Sequence, residues 1–501
     1  MTIFKEYRDY DGIGLAELIK TKQISPLDPL DSAIDLIEKI DPKLNTVHRK
    51  LYHDATESLN RNKDLEGIFA GVPMLLKDMD SALANHPMTQ GSKYLKNTIM
   101  PYDNVLTKKF RKTGALICGK SATPEYGLMI TTEPVEFGPT RNPWDTTKTT
   151  GGSSGGSASA VAARIVPFAH ASDGGGSIRI PAASCGTVGL KPNRGRTSFA
   201  PTHGDKWGGF THSGIVSRTI RDTAYMYDSL FGFEIGDPYG VHYEKGNLIN
   251  ALGKKDKLKI GFNHQTRIPV EISEEAKKAV MFNAKLCEDL GHDVEEAILE
   301  YDGLLLSRAF VIIICAHVTQ MFKELKELVG HNFKKKEVES TTRLFNYLGK
   351  TFRASDYTWA RYTTQKIARS VMEQTNKYDV MIMPVISQPP ANIADIRPKK
   401  SAELLNEIIM SLHLGGLFNI ESIRRTVLDG LAPQSLWYAP DAMLQNITGQ
   451  PAISLPTYWT DSNLPLGVQF VGRYADEATL LSLGAQLEET APWIQRIPEV
   501  I

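Results

Sequence analysis

The chain has 501 residues, of which 42% are hydrophobic and 23% charged, ordinary globular usage with enough apolar material for a large core. Lys+Arg and Asp+Glu both total 57, so the balance excludes a strongly charged protein of the kind that gathers nucleic acid or an anionic membrane. Cys118, Cys185, Cys287 and Cys315 lack Cys-x-x-Cys spacing and sit in apolar contexts, which excludes a zinc ribbon or disulfide framework and points to reduced, packed thiols in a cytoplasmic protein. The first residues are charged from Lys5 onward and lack the apolar core of a secretion signal. The longest apolar run, Ala309–Ala316, is too short to span a bilayer. The basic cluster Lys334–Lys336 is followed by Glu337 and Glu339 and reads as a solvated helix face.

In chain order, Ile13–Thr21 and Ala33–Ile40 read as helices, the second stopped before Asp41-Pro42. Gly71–Leu76 reads as a short buried strand, Val105–Lys112 as a helix, and Ala115–Gly119 as a buried strand leading to Lys120. Ala158–Arg164 is a predicted helix, Ile165–Ala171 a core strand and Asp222–Phe231 a helix. Residues 237–256 turn polar and glycine-rich. Lys257–Phe262 follows as a strand, and Ser273–Leu290 as an amphipathic helix with a serine cap. Residues 303–375 are strongly helical, Asp379–Ile386 is a buried strand, and 401–447 mix helix with aromatic loop. Ala452–Leu455 and Leu466–Val471 form a final strand pair before the closing helix Glu477–Glu489. Strand alternating with helix implies an α/β sheet covered on both faces, with ligands bound at the strands' carboxyl ends. No internal repeat or low-complexity tract interrupts this pattern.

Two glycine-rich runs stand out, Gly151-Gly152-Ser153-Ser154-Gly155-Gly156-Ser157 and Asp173-Gly174-Gly175-Gly176-Ser177. A lone run of this composition is most often a linker or turn. Here each is followed by apolar, ordered-looking sequence. Glycine clusters of this sort let backbone N–H groups converge on a ligand where a β-carbon would clash. A serine held in such a cradle, with a lysine as base, is the outline of a Ser-Lys amide hydrolase. Lys77 closes the apolar run Val72–Leu76, which places its stem in the core and its amine at the strand's end. By itself such a lysine is ordinarily a snorkelling core-edge residue. Alternation along the strand turns Asp78 to the opposite face.

The block Gly151–Arg196 resembles the amidase signature family. Its pattern, Gly-Gly-Ser-Ser-Gly-Gly-Ser, Asp-x-Gly-Gly-Ser-Ile-Arg-x-Pro and Cys-Gly-x-x-Gly-Leu-Lys-Pro, is met almost residue for residue at Gly151–Ser157, Asp173–Pro181 and Cys185–Pro192. The likeness extends upstream through Gly71–Asp78, Lys120–Glu125 and Gly138–Trp144, and downstream through Asn446–Pro456 and Pro465–Phe470. The resemblance implies a single large α/β/α domain over 1–501 around a mixed sheet. Its catalytic core would occupy about 70–230 and 446–501, with a divergent, helix-rich, substrate-side segment at about 237–445. Carried over by position, Ser177 is the nucleophile, Ser153 the bridging serine behind a cis peptide from Gly152, and Lys77 the base. Ser153 would pass the proton of Ser177 to Lys77 and return one to the leaving amine. Backbone N–H groups of Gly174, Gly175, Gly176 and Ser177 would form the oxyanion hole. The resemblance implies no cofactor, no metal, a small-molecule amide as substrate, no nucleic-acid or membrane partner, and a homodimer as a possible assembly.

The substrate pocket is expected in the segment least like the family, near Ile314-Cys315, Phe418 and Trp437-Tyr438, because pockets are mostly apolar with few polar anchors. His170 and Asp173 could form a histidine triad with Ser177. His170, however, ends a strand, Asp173 is better placed to fix the glycine loop, and Arg179 reads as an ion-pair partner. A phosphate-cradling loop would need a Gly-Lys-Ser/Thr ending or Gly-x-Gly-x-x-Gly spacing, and both are missing. A catalytically dead scaffold is disfavoured because all three catalytic positions are filled. Within the family, the rival is the glutaminase subunit of a tRNA-dependent amidotransferase. Trp207–Ile215 departs from that subunit's Ser-Ser-Leu-Asp-Gln-Ile-Gly-Pro-like stretch. Thr131–Pro134, Thr140–Trp144 and Asn193–Arg196 look closer to broad amidases, including the 6-aminohexanoate cyclic dimer hydrolase type.

Overall fold

The computed structural model describes residues 3–61, 64–398, 400–411 and 421–499. Its strands are, in chain order, β1 (Val47–Lys50), β2 (Pro73–Lys77), β3 (Leu116–Ser121), β4 (Arg141–Asn142), β5 (Asp145–Thr149), β6 (Phe168–Asp173) and β7 (Val188–Lys191). They continue as β8 (His212–Ser217), β9 (Lys259–Phe262), β10 (Asp293–Glu296), β11 (Val380–Pro384), β12 (Ala452–Leu455) and β13 (Val468–Gly472). Strands β4 and β5 pair with each other, and the other 11 form one sheet in the order β1-β3-β2-β6-β8-β7-β12-β13-β11-β9-β10. β3, β2 and β6 run parallel, as do β11, β9 and β10, whereas the connections between these groups are antiparallel. The sheet is therefore mixed, as expected. The helix-rich segment adds β9, β10 and β11 to it.

Helices on both faces explain the strand sequences. Every residue of β2 is buried, so Pro-Met-Leu-Leu reads as a continuous apolar run without alternation. On β11 the alternation shows in which core each side chain joins. Val380 and Ile382 enter the larger apolar core, and Met381 and Met383 enter a second one. That second core is built on helix Gly303–Val329, which packs against helices Ser340–Gly349, Ala354–Thr375 and Glu421–Leu436. The apolar run Ala309–Ala316 thus belongs to a 27-residue helix that is long and apolar enough, by length and composition, to cross a membrane. Its neighbours cover that apolar face instead.

The predicted stop before Asp41-Pro42 does not hold. The helix runs Leu27–Leu44 with Pro42 inside its last turn, where only one backbone bond is forfeited. Asn45 in the left-handed conformation ends it, and the Asp41 carboxylate accepts from Thr46 N–H (2.5 Å) and Val47 N–H (3.1 Å). Strands β7 and β8 escape sequence reading because Gly189, His212, Ser213 and Gly214 break any apolar signature, although all their residues are buried.

Candidate active site

Parallel neighbours β2 and β6 end side by side, which brings Lys77 and Ser172-Asp173 to the same edge of the sheet. The first glycine run crosses this edge. Its Gly152–Ser153 peptide is cis, and a β-carbon on Gly152 would lie 2.6 Å from the Thr131 carbonyl. Ser154 then opens helix Gly155–Ala162, its hydroxyl bonded to Ser172 N–H (3.3 Å) and C=O (3.2 Å). Ser154 is thereby spent on holding the run to β6. Ser153 is the serine that meets the lysine.

Lys77 is fully buried, and its Nζ donates to Ser153 Oγ (2.7 Å) and Ser172 Oγ (3.1 Å). Burial pushes its pKa down from 10.5 to about 8, against the opposing pull of Asp80 and Asp173. Asp78 does turn away, accepting from Thr89 N–H (3.2 Å) and pairing with the buried Lys120 at 3.5 Å. An amine brought down to about 8 has an appreciable neutral fraction near physiological pH, and in contact with a hydroxyl it can act as a base.

The second run is anchored by Asp173. Its carboxylate accepts from Gly176 N–H (2.6 Å), Ile178 N–H (3.2 Å), Asn446 Nδ2 (2.8 Å) and the guanidinium of Arg179 (2.9 and 3.1 Å). Burial alone would raise its pKa, but Arg179 and these donors hold it well below the carboxylate range. Arg179, itself fully buried, also donates to Gln445, Asn446 and Gln469, so the carboxyl-terminal segment locks the loop. The commitment of Gly176 N–H to Asp173 corrects the expected oxyanion hole. The N–H groups of Gly174, Gly175 and Ser177 have no protein acceptor among the described residues. Gly176 instead supplies the backbone bend, at φ +117°.

Ser153, Ser172, Gly174 and Ser177 line one cavity of about 30 Å³. Hydroxyls 153 and 177 share this space without a direct hydrogen bond, a looseness usual before substrate binds. Met79, Asp80, Gly127, Lys206, Trp207 and Thr211 complete the lining, and sequence reading named none of these six as site residues. Trp207 lies against Gly174, where a β-carbon would approach its ring to 2.7 Å. Phe310 similarly faces Gly175 at 3.2 Å and stacks on Phe210. The run Lys206-Trp207-Gly208-Gly209, an aromatic between a charge and two glycines, was the available signal.

The other candidates lie elsewhere. Cys315 is buried where helices Gly303–Val329 and Ser340–Gly349 meet, its carbonyl directly against Gly349. It is five residues from Phe310, hence about 140° around the helix from the residue that faces the glycine loop. Tyr438 is buried with its hydroxyl 3.1 Å from Ser184, and Trp437 packs on Tyr438. Neither lines the Ser177 cavity. Phe418 lies outside the described residues. Both ring nitrogens of His170 lack partners among the described residues, and burial drops its pKa to about 3. It packs edge-on to Phe110 and makes no bond to Ser177.

Comparison with known proteins places these features in context. The family model described as Amidase matches residues 28–419. A 6-aminohexanoate-cyclic-dimer hydrolase of Pseudomonas sp. (strain NK87) is 32% identical over 507 aligned positions, which cover 98% of this chain and 97% of that protein. A solved structure of 6-aminohexanoate cyclic dimer hydrolase complexed with substrate superposes with a TM-score of 0.89 at 28% identity, covering 99% of this chain and 100% of that one. A bacterial aryl acylamidase of the amidase signature enzymes superposes at 0.83 with 26% identity, covering 97% of each chain.

Proposed function

We propose that this chain, which belongs to the amidase family and hydrolyses carboxamides, does so through an acyl-enzyme on Ser177 with Lys77 as base and Ser153 as the proton carrier between them. The observation that carries this reading is the contact of the buried Lys77 Nζ with Ser153 Oγ at 2.7 Å, beside a glycine-cradled serine in the same cavity. In the first step Ser177 Oγ attacks the amide carbon while its proton passes to Ser153 Oγ, whose own proton moves to Lys77 Nζ. The carbonyl oxygen becomes an oxyanion facing Gly174, Gly175 and Ser177 N–H, each donor worth about 2.7–4 kcal/mol of barrier. Collapse breaks the C–N bond as Ser153 protonates the leaving nitrogen and recovers a proton from Lys77. Water then attacks the ester by the same relay and frees Ser177 and the acid.

The substrate in this reading is a small, weakly charged amide, linear or cyclic, with an extended acyl chain. The name of the Pseudomonas relative and the apolar side chains of Trp207 and Phe310 beside the glycine loop support it. Four free, buried cysteines and the covered apolar helix support a cytoplasmic setting, and a homodimer is part of the same proposal. A fluorophosphonate probe tests the nucleophile. The peptide containing Ser177 should carry the adduct, and the label should vanish in Ser177→Ala. Undiminished labelling of that variant would move the nucleophile elsewhere and overturn the assignment.

A further inference from the structure

Burial lowers the pKa of Lys77 to about 8, and two carboxylates, Asp80 and then Asp173, pull the other way. Each carboxylate has a cation of its own. Asp173 is held by Arg179, and both side chains are fully buried. Asp80, whose side chain is 1% exposed, accepts from Lys206 Nζ at 2.6 Å. Lys206 is 29% exposed, and with Asp80 it lines the cavity shared by Ser153 and Ser177. The pair is fixed in place. The Lys206 ammonium sits 5.3 Å over the Phe199 ring, and its carbonyl accepts Gly209 N–H (3.2 Å) and Thr211 N–H (3.3 Å). Asn104 Nδ2 donates to the Asp80 carbonyl (2.9 Å).

Ser172 stands between this pair and the base. Its Oγ accepts from Lys77 Nζ at 3.1 Å, and its hydroxyl also supports the Asp80 carboxylate. Burial alone would raise the pKa of Asp80, but Lys206, Lys77 and Ser172 together bring it down to about 2, so Asp80 is an anion whenever the base works. The other charges facing Lys77 and Asp80 are already matched. Asp173 has Arg179, Lys120 pairs with Asp78 at 3.5 Å, and burial keeps His170 neutral. Lys206 is thus the cation that answers Asp80 without itself being the base.

We propose that Lys206 is a positioning residue for the base: by holding the charge of Asp80, it leaves Lys77 free to lose its proton and accept one from Ser153. This inference rests on Lys77 as base and deepens that reading. Electrostatics gives it a sign. Without Lys206, the ionised Asp80 pairs with Lys77 and keeps the ammonium charged to higher pH. Without Asp80, the unpaired Lys206 repels the ammonium, which loses its proton at lower pH. Removing both takes away a charge with its countercharge, and the two effects offset.

The first readout is the acid limb of the kcat/KM profile, taken with a neutral aliphatic amide that does not titrate in the range. Lys206→Met should raise its midpoint from near 8 by about one pH unit, cutting kcat/KM roughly tenfold at neutral pH with recovery as the pH rises. Asp80→Asn should lower the midpoint by a similar amount. The double variant should return it close to 8, and Lys206→Arg, which keeps the charge, should leave it there. The second readout does not involve turnover. In urea unfolding, each protein is compared with its own Lys77→Met derivative at neutral pH and at pH 10.5. The gain with pH should shrink in Lys206→Met, whose folded amine titrates closer to the unfolded value, and grow in Asp80→Asn. Singles that shift neither readout, or shift both in the same direction, would overturn the tuning, as would a moved limb with an unmoved stability gain. Stability shifts of the stated signs with an unmoved limb would uphold the coupling and overturn Lys77 as base.

Discussion

Replacing Lys77 by methionine removes a buried cation while keeping most of its volume, and the effect on stability should depend on pH. The wild-type amine titrates at about 8 in the folded protein against 10.5 in the unfolded chain, because burial disfavours the ammonium. At about 1.36 kcal/mol per pH unit, the folded state carries a penalty of roughly 3 kcal/mol wherever both states are protonated. The sign follows from proton counting. Between pH 8 and 10.5 the unfolded chain binds more protons, so this contribution to stability rises with pH across that window and is flat below it. The hydrogen bonds to Ser153 and Ser172 are lost in the variant at every pH, so they cancel when the wild-type–variant difference at one pH is subtracted from that at another. Urea unfolding of both proteins at neutral pH and near pH 10.5 should therefore show wild type gaining roughly 3 kcal/mol on Lys77→Met as pH rises. The acid limb of the wild-type kcat/KM profile should fall with a midpoint near 8, since only the neutral amine accepts the proton. A wild-type–variant difference identical at both pH values would mean that the amine titrates normally, and the reasoning for Lys77 as base would fail.

Arg179→Met should strand the fully buried Asp173 carboxylate without its guanidinium, lowering stability by about 3–5 kcal/mol in urea titration and abolishing turnover as the glycine loop loosens. Gly176→Ala should lose activity and at least about 1 kcal/mol of stability, because φ is +117° and the new methyl would sit 2.6 Å from Ala442 Cβ. Wild-type kinetics in either variant would show that the loop geometry is not required.

Lys77 and the two glycine runs that carry Ser153 and Ser177 were legible as candidates from local chemistry, and the resemblance supplied their expected roles. Pro73–Leu76 is apolar on both faces, so Lys77 had to enter the core, and two glycine runs separated by a helix and a strand had to bend at one sheet edge. Sequence also yielded the mixed sheet in outline, with β12 pairing β13 as expected, but not β7 or β8, whose glycines and polar residues are buried only because helices cover them. Choosing between Ser153 and Ser154 from the residues alone was beyond local reasoning. It took the family register, and the structure adds the reason in Ser172, which occupies the hydroxyl of Ser154.

What only tertiary structure decided is the rest of the cavity. Asp80 and Lys206 are 126 residues apart, and although Lys206 opens the run Lys206-Trp207-Gly208-Gly209, nothing in the sequence pairs it with Asp80. They meet because β6 and β8 pair across the sheet, which brings the loop before β8 over the end of β2. The helical segment shows the same limit. Apolar content marked Cys315 and Trp437 and passed over Phe310, because a helix presents one face to a site and the others to its neighbours, and which face is which is fixed by packing. Local sequence specifies what a residue can do, and the register of strands and helices distant in the chain specifies what it does it to.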